Sequence, residues 1–214
     1  MKKIILWVSA LILTSGFMLT SCSKDDSNAG PGPEDEIEEQ LKKMTLREKV
    51  GQMFYMRPEA LDTSIHWKSA DDLIKISTQE VTDKMKALNA KYPVGGIILY
   101  AWNIKDEPQL AKFVKQLKAL NGSPLLCIDE EGGRISRIAN NVNFKVKKYE
   151  STAAIGATGD PANAYECGHT IGTYLKGYGF DIDFAPVADV NTNPENIVIG
   201  NRSFSDDPNV AAPM

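Results

Sequence analysis

Histidine, cysteine and clustered basic residues are scarce in this sequence. The 214 residues include two histidines and three cysteines, and the cysteines at positions 22, 127 and 167 form no C-x-x-C pair. Too few ligands remain for a zinc site, so the sequence predicts neither a metal nor a cofactor. The formal net charge is −4, and no block of Lys and Arg is present to bind phosphates. We therefore expect no nucleic-acid partner.

The one long hydrophobic run lies at the N-terminus. Lys2 and Lys3 precede the run "IILWVSALILTSGFML", which polar residues interrupt and which is shorter than the ~20 apolar residues of a membrane-spanning helix. A charged start, an apolar centre and small residues before a cleavage site are typical of a signal peptide. The sequence "LTSC" at 19–22 resembles the lipobox of bacterial lipoproteins, in which the cysteine becomes lipidated. We therefore predict a signal peptide over 1–21 and a lipid anchor on Cys22 in the outer membrane, facing the periplasm or the cell surface. The alternative is an ordinary secretory signal in which Cys22 carries no lipid.

Residues 22–36 contain almost nothing to bury. They are rich in Ser, Pro, Gly and acidic residues, which is typical of a flexible tether. The folded domain is therefore predicted over 37–214. Within it, Cys127 and Cys167 both lie in apolar segments, which predicts two buried thiols. The alternative is a disulfide bond formed in an oxidising compartment.

Helix and strand signals alternate from residue 37 onwards. Short apolar runs predict strands at "QMFYM" (52–56), "GIILY" (96–100), "PLLCID" (124–129) and "IDFAPV" (182–187). Helix starts are predicted by two capping boxes and by three Asp caps, each Asp being followed closely by Pro: Thr45 with Glu48, Ser77 with Glu80, Asp106, Asp160 and Asp207. Segment 66–76 is predicted to be an irregular insertion.

This order of elements predicts the fold class. Strands separated by helices indicate parallel β/α units. A closed β/α barrel needs eight strands, and half of that number is present here. The sequence therefore predicts an α/β fold, the N-terminal half of a truncated (β/α)8 TIM-type barrel.

Charged residues follow the third predicted strand in an unusual arrangement. The stretch "CIDEEGGRISRI" at 127–138 places three acids, two glycines and two arginines directly after a buried run. Ligands of parallel β/α folds collect at the C-terminal ends of the strands. Asp129 is therefore expected at the barrel mouth, where the glycine pair allows a tight turn close to a ligand. The same rule selects Arg57, Asn103 and the segment 189–202 after the other strands.

Four ordered motifs resemble the N-terminal domain of glycoside hydrolase family 3, in its β-N-acetylhexosaminidase branch. They are "KYPVGGIILYAWNI", "PLLCIDEEGGRISRI", "AAIGATGDPANAYECGHTIGTYLKGYGFDIDFAPVADVNTNP" and "VIGNRSFSDDP". The resemblance implies hydrolysis of terminal non-reducing N-acetyl-β-D-hexosamine, N-acetylglucosamine above all, from oligosaccharides by a retaining mechanism. The alternatives are a β-glucosidase of the same family and a non-catalytic glycan-binding lipoprotein.

The resemblance also assigns residues. It implies that Asp129 accepts hydrogen bonds from sugar hydroxyls and that Arg137 and Arg202 line the sugar site. The alternative is structural: Asp129 caps the following turn, and Arg202 ties two loops together. In this branch the nucleophile is an aspartate late in the barrel, and the acid/base group is a histidine on a loop that follows a "K-H-F-P-G-H-G" motif; this sequence contains neither. We therefore expect no catalytic residue here and no activity from the 214 residues alone.

The remaining polar residues of these motifs are predicted to be structural. Glu130 and Glu131 are expected to stabilise the loop as partners of Arg134. Structural or packing roles are also expected for His169, Asp181, Asp183 and Asp189.

Overall fold

The computed structural model describes residues 32–214, so Cys22 and the predicted signal peptide lie outside the described residues. The strands are β1 (Tyr55–Met56), β2 (Gly96–Leu99), β3 (Leu125–Ile128) and β4 (Ile182–Asp183). The helices are α1 (Pro33–Lys43), α2 (Leu46–Gln52), α3 (Ala70–Ile76), α4 (Asp83–Lys91), α5 (Glu107–Lys118), α6 (Thr152–Gly156), α7 (Pro161–Tyr178) and α8 (Pro208–Ala211). Short 3-10 helices cover Pro58–Leu61, Ala101–Asn103 and Gly200–Arg202.

The four strands form one parallel sheet in the order β1-β2-β3-β4. The central pair has the longest register, from Gly96 opposite Leu125 to Leu99 opposite Ile128. Each strand is followed by at least one helix before the next strand begins, as β/α units require. The predicted α/β architecture is confirmed, and the C-terminal ends of all four strands meet at one edge of the sheet.

The core lies between the central strands and α5. Leu110, Phe113 and Leu117 of α5 are fully buried, as are Leu126 and Ile128 of β3, on which the helix packs. Each such side chain contributes roughly 1.5–3 kcal/mol through burial of apolar surface. This packing fixes the position of the β3 end, and therefore of the loop that follows it.

The two cysteines of the domain are free and buried, as predicted. Burial, with a smaller contribution from the charge of Asp181, raises the pKa of the Cys127 thiol to about 12. Burial likewise raises the pKa of Cys167 to about 11. Both thiols therefore stay protonated and behave as small apolar side chains.

Most predicted helix starts are confirmed. At α2 the Thr45 hydroxyl accepts from the Glu48 N–H at 3.3 Å, while the Glu48 carboxylate accepts from the Thr45 N–H at 2.7 Å. Asp106 and Asp160 cap α5 and α7 with side chains that accept from the backbone N–H groups of Gln109 and Ala162. Gly179 ends α7 with a φ of 90°, a left-handed conformation that glycine adopts without steric cost.

The predicted start at Ser77 is wrong. Ser77 instead ends α3 with a φ of 47°, and α4 begins after Thr82. The Thr82 hydroxyl accepts from the Met85 N–H at 3.2 Å and donates to Asp62 at 2.6 Å, so it caps α4 and also contacts a residue distant in sequence. The irregular insertion predicted over 66–76 is also wrong, because Ser69 opens α3 there with a capping box.

The N-terminal helix begins earlier than the predicted domain. α1 starts at Pro33, inside the segment 22–36 predicted as a tether. Its first turn is acidic, which stabilises the positive end of a helix without any apolar burial. No helix within residues 32–214 is long and apolar enough to cross a membrane.

Candidate functional site

The loop after β3 brings two of the predicted site residues together. The Arg137 guanidinium donates from Nη2 to Asp129 Oδ2 at 2.8 Å. The two side chains are 21% and 22% exposed, so the pair is largely shielded but remains accessible to solvent. Within the described residues no backbone N–H donates to the Asp129 carboxylate, which argues against the turn-capping alternative.

A buried carboxylate holds this loop closed. Glu130 is fully buried and accepts from the backbone N–H groups of Ile138 and Ala139, each at 2.9 Å. It also accepts from the Tyr174 hydroxyl of α7 at 2.7 Å. Burial, followed by the charge of Glu130, raises the pKa of Tyr174, which therefore remains a hydrogen-bond donor. The predicted loop-stabilising role of Glu130 is confirmed, but Arg134 is not its partner.

Glu131 pairs with the third predicted residue. Arg202 donates from Nη2 and Nε to the two carboxylate oxygens of Glu131, at 2.6 and 2.8 Å. This hydrogen-bonded pair raises the pKa of Arg202, and the nearby charges of Asp189 and Asp129 act in the same direction. Arg202 also donates to the Val198 carbonyl at 3.1 Å. The guanidinium thus ties the loop after β4 to the loop after β3, as the structural alternative predicted.

Arg134 has other partners. Its Nη2 donates to the carbonyl oxygens of Ile197 and Val198, with 2.8 Å to Ile197. The prediction that Arg134 pairs with Glu130 and Glu131 is therefore wrong. Arg134 donates to backbone carbonyls of the loop after β4 instead of to these two carboxylates.

The cluster offers unused hydrogen-bonding groups to a ligand. Within residues 32–214, Arg202 uses three of its five N–H groups and Arg137 uses one. Asp129 Oδ1 has no partner among the same residues. A carboxylate oxygen can accept from the hydroxyls of a polyol, and the free N–H groups of a guanidinium can donate to them. Over the described residues, no group of three or more metal-ligating side chains occurs.

Two aspartates fasten β4 to β3 beside the cluster, which confirms their predicted structural role. Asp181 accepts from the Leu126 N–H at 2.9 Å, and Asp183 accepts from the Glu130 N–H at 2.9 Å. Burial raises the pKa of Asp183 to about 7, and the charges of Glu130, Asp129 and Glu131 add to the effect. A cavity of about 570 Å³ is lined by Glu130, Glu131 and Asp183 among others.

Two aromatic residues that follow β2, Tyr100 and Trp102, lie beside Arg137. Sequence reasoning did not identify them as site residues. The Arg137 Cζ lies 5.6 Å from the centroid of the Tyr100 ring. Trp102 stacks on the same ring, with 4.6 Å between centroids and 3° between planes. The rule that selects residues after strand ends applies to Tyr100 and Trp102 as well and would have identified them.

Comparisons with known proteins identify the family. The model of the glycosyl hydrolase family 3 N terminal domain matches residues 45–214, so the chain belongs to that family. The beta-hexosaminidase A of Pseudoalteromonas piscicida is 34% identical over 141 residues, which cover 61% of this chain and 23% of that protein.

Solved structures of the family give the same result. A glycoside hydrolase family 3 beta-N-acetylglucosaminidase from Paenibacillus sp. str. FPU-7 is 31% identical with a TM-score of 0.64, covering 79% of this chain and 29% of that one. Native NagZ from Neisseria gonorrhoeae is 29% identical with a TM-score of 0.56, covering 64% and 41%. The predicted family branch and TIM-type barrel fold are confirmed, and the chain spans less than half the length of these relatives.

Proposed function

We propose that the whole protein containing this chain is a glycoside hydrolase that removes terminal non-reducing N-acetyl-β-D-hexosamine, N-acetylglucosamine above all, from oligosaccharides with retention. The observation that carries the proposal is the pairing of Asp129 with Arg137 and of Glu131 with Arg202, because the two carboxylates lie two residues apart directly after the β3 end. Family membership and the hexosaminidase relatives support the substrate class.

The chemistry of the cluster suits a sugar ring. Asp129 would accept from two neighbouring hydroxyls, while Arg137 and Arg202 donate to ring substituents through their unused N–H groups. Hydrogen bonds to charged groups contribute roughly 1.5–3 kcal/mol each. Hydrolysis with retention needs a nucleophile and an acid/base group as well. The family resemblance assigns these to motifs not found in the 214 residues, so we expect no hydrolysis by this chain alone.

Two substitutions in the whole protein test the sugar-binding assignment. Asp129→Ala and Arg202→Ala should each lower kcat/KM for an aryl N-acetyl-β-glucosaminide by about ten- to a hundred-fold. Asp83→Ala is the matched control, because it removes one partner of a fully exposed ion pair with Lys86 on α4. Melting curves separate loss of binding from loss of folding. Near-normal activity of a folded Asp129→Ala variant would refute the assignment.

The same assay separates the related functions. A kcat/KM that is higher for the aryl N-acetylglucosaminide than for the aryl β-glucoside supports the hexosaminidase. The reverse order would indicate a β-glucosidase of the family. Sugar binding by the whole protein without any turnover would indicate a non-catalytic glycan-binding protein.

We also propose that lipid on Cys22 anchors the protein to the outer membrane. The support is the sequence "LTSC" after the apolar run. Two or more acyl chains anchor a protein stably, whereas a single chain binds only marginally. Cys22→Ala should therefore move the protein from the membrane fraction to the aqueous fraction, while Cys167→Ala, which removes a buried thiol of the domain, should not. Unchanged partitioning of Cys22→Ala would contradict the anchor.

A further inference from the structure

The two site arginines are held in place very differently. Arg202 makes three hydrogen bonds, two of them to Glu131. Arg137 makes a single hydrogen bond within the described residues, to Asp129, and its Nε is buried without a partner. Asp129 is itself a predicted sugar ligand, so a bound hydroxyl would compete for the carboxylate that holds Arg137. Some other contact must fix the Arg137 guanidinium when the site is filled.

The Tyr100 ring supplies that contact. The Arg137 Cζ lies 5.6 Å from the ring centroid, within the range in which a cation is attracted to an aromatic face. A guanidinium against a ring needs no hydrogen-bond acceptor, which fits the unpartnered Nε. Trp102 stacks on Tyr100 at 4.6 Å, so the ring is supported in turn.

The stacked rings are anchored to the ends of β1 and β2. Glu59 is fully buried and accepts from the Asn103 side chain at 2.7 Å and from the Trp102 indole N–H at 3.3 Å. The Asn103 side-chain oxygen accepts from the Tyr100 N–H at 2.9 Å. The position of the Tyr100 ring is therefore set by strands other than the one that carries Arg137.

We propose that Tyr100 is a positioning residue for Arg137. Its ring stacks on Trp102, which is held by Glu59, and it keeps the Arg137 guanidinium in one orientation. The unused N–H groups of Arg137 then face the sugar even when Asp129 accepts from a sugar hydroxyl instead of from Arg137. The role of the ring is independent of its hydroxyl. The ligand named here rests on the proposed function, whereas the contact between Arg137 and Tyr100 does not.

The first test measures binding of free N-acetylglucosamine to the whole protein. Tyr100→Leu removes the ring and should weaken binding by about two- to thirty-fold, the range of a cation–π contact. Tyr100→Phe keeps the ring and should bind like the wild type. Tyr92→Leu is the matched control, because Arg47 lies 5.0 Å from the Tyr92 ring at the opposite end of β2. Equal weakening by Tyr100→Phe and Tyr100→Leu would overturn the proposal, since it would assign the effect to the hydroxyl.

The second test reads Arg137 directly, without any sugar. In protein labelled with ¹⁵N-arginine, the Arg137 Nε–H resonance carries the ring-current shift of Tyr100 and is assigned with Arg137→Lys. Tyr100→Leu should remove that shift, and Tyr100→Phe should retain it. If Tyr100→Leu does not fold, Tyr100→Met replaces it, because its side chain is of similar length without a ring. An Arg137 resonance unchanged in the folded ringless variant would overturn the proposal. A shift that behaves as expected without any sugar binding would instead count against the proposed function alone.

Discussion

Asp183 allows a quantitative prediction about stability. Its carboxyl group accepts from the Glu130 N–H at 2.9 Å and lies near the carboxylates of Asp129 and Glu131. Burial and, after it, the charges of Glu130, Asp129 and Glu131 raise its pKa from 3.8 to about 7. In the folded protein Asp183 therefore keeps its proton at pH values where the unfolded chain has lost it.

The direction of the pH dependence follows from proton counting. Below pH 4 both states hold the proton, so Asp183 adds no penalty. Between about pH 4 and pH 7 the folded state binds more protons at this group than the unfolded state, so its contribution to stability falls as the pH rises. At about 1.4 kcal/mol per pKa unit, the difference between 3.8 and about 7 sets an upper bound of about 4 kcal/mol at pH 8.

Asp183→Asn tests this reasoning. The amide oxygen still accepts the Glu130 N–H, but the buried charge is gone. We expect the variant to be more stable than the wild type by about 1–3 kcal/mol at pH 8, and the gain to vanish near pH 4. Urea unfolding at pH 4.5, 6 and 8 gives the free energy of unfolding of the variant and of the wild type. The contributions of the other titrating groups are the same in both proteins and cancel in the difference.

Asp181→Asn is the matched control for this experiment. Asp181 lies two residues away and, like Asp183, accepts a backbone N–H, here that of Leu126 in β3, but it forms an ion pair with Lys118 at 2.9 Å. Removing its charge should not stabilise the protein at pH 8. A difference between Asp183→Asn and the wild type that is the same at pH 4.5 and pH 8, or a loss of stability at pH 8, would refute the reasoning.

Two further predictions concern the carboxylates after Asp129. Glu130→Gln replaces one buried acceptor oxygen with an NH2 donor, which faces either the Ile138 N–H or the Ala139 N–H together with the Tyr174 hydroxyl, so stability should fall by about 1–3 kcal/mol in urea unfolding. An unchanged unfolding midpoint would contradict this role. Glu131→Gln removes the charge that clamps Arg202 from two sides, so N-acetylglucosamine should bind the whole protein about ten-fold more weakly in calorimetric titration. Unaltered affinity would show that the Glu131 charge is not needed to position Arg202 for the sugar.

Local chemistry made much of the fold predictable. The central strands are short apolar runs, and the starts of α5 and α7 are encoded by an Asp cap followed by Pro. These signals act between residues a few positions apart, so they operate before any tertiary contact forms. The choice between Ser77 and Thr82 as a helix start is harder, because both side chains carry a hydroxyl, and the Thr82 hydroxyl also donates to Asp62, twenty residues away, a contact that local signals do not encode.

The sequence by itself determined the family, the parallel order of the strands and the three residues proposed to bind sugar. It did not determine which carboxylate pairs with which arginine. Asp129, Glu130 and Glu131 are adjacent and chemically alike, yet one contacts Arg137, one is buried under Tyr174, and one binds Arg202, 71 residues away. Successive side chains point in different directions from the backbone, and the partner of each depends on which loop or helix the packed sheet brings to that side. Only the tertiary structure decides the pairing, because each arginine can pair with any of the three carboxylates until the packed strands bring one of them within reach.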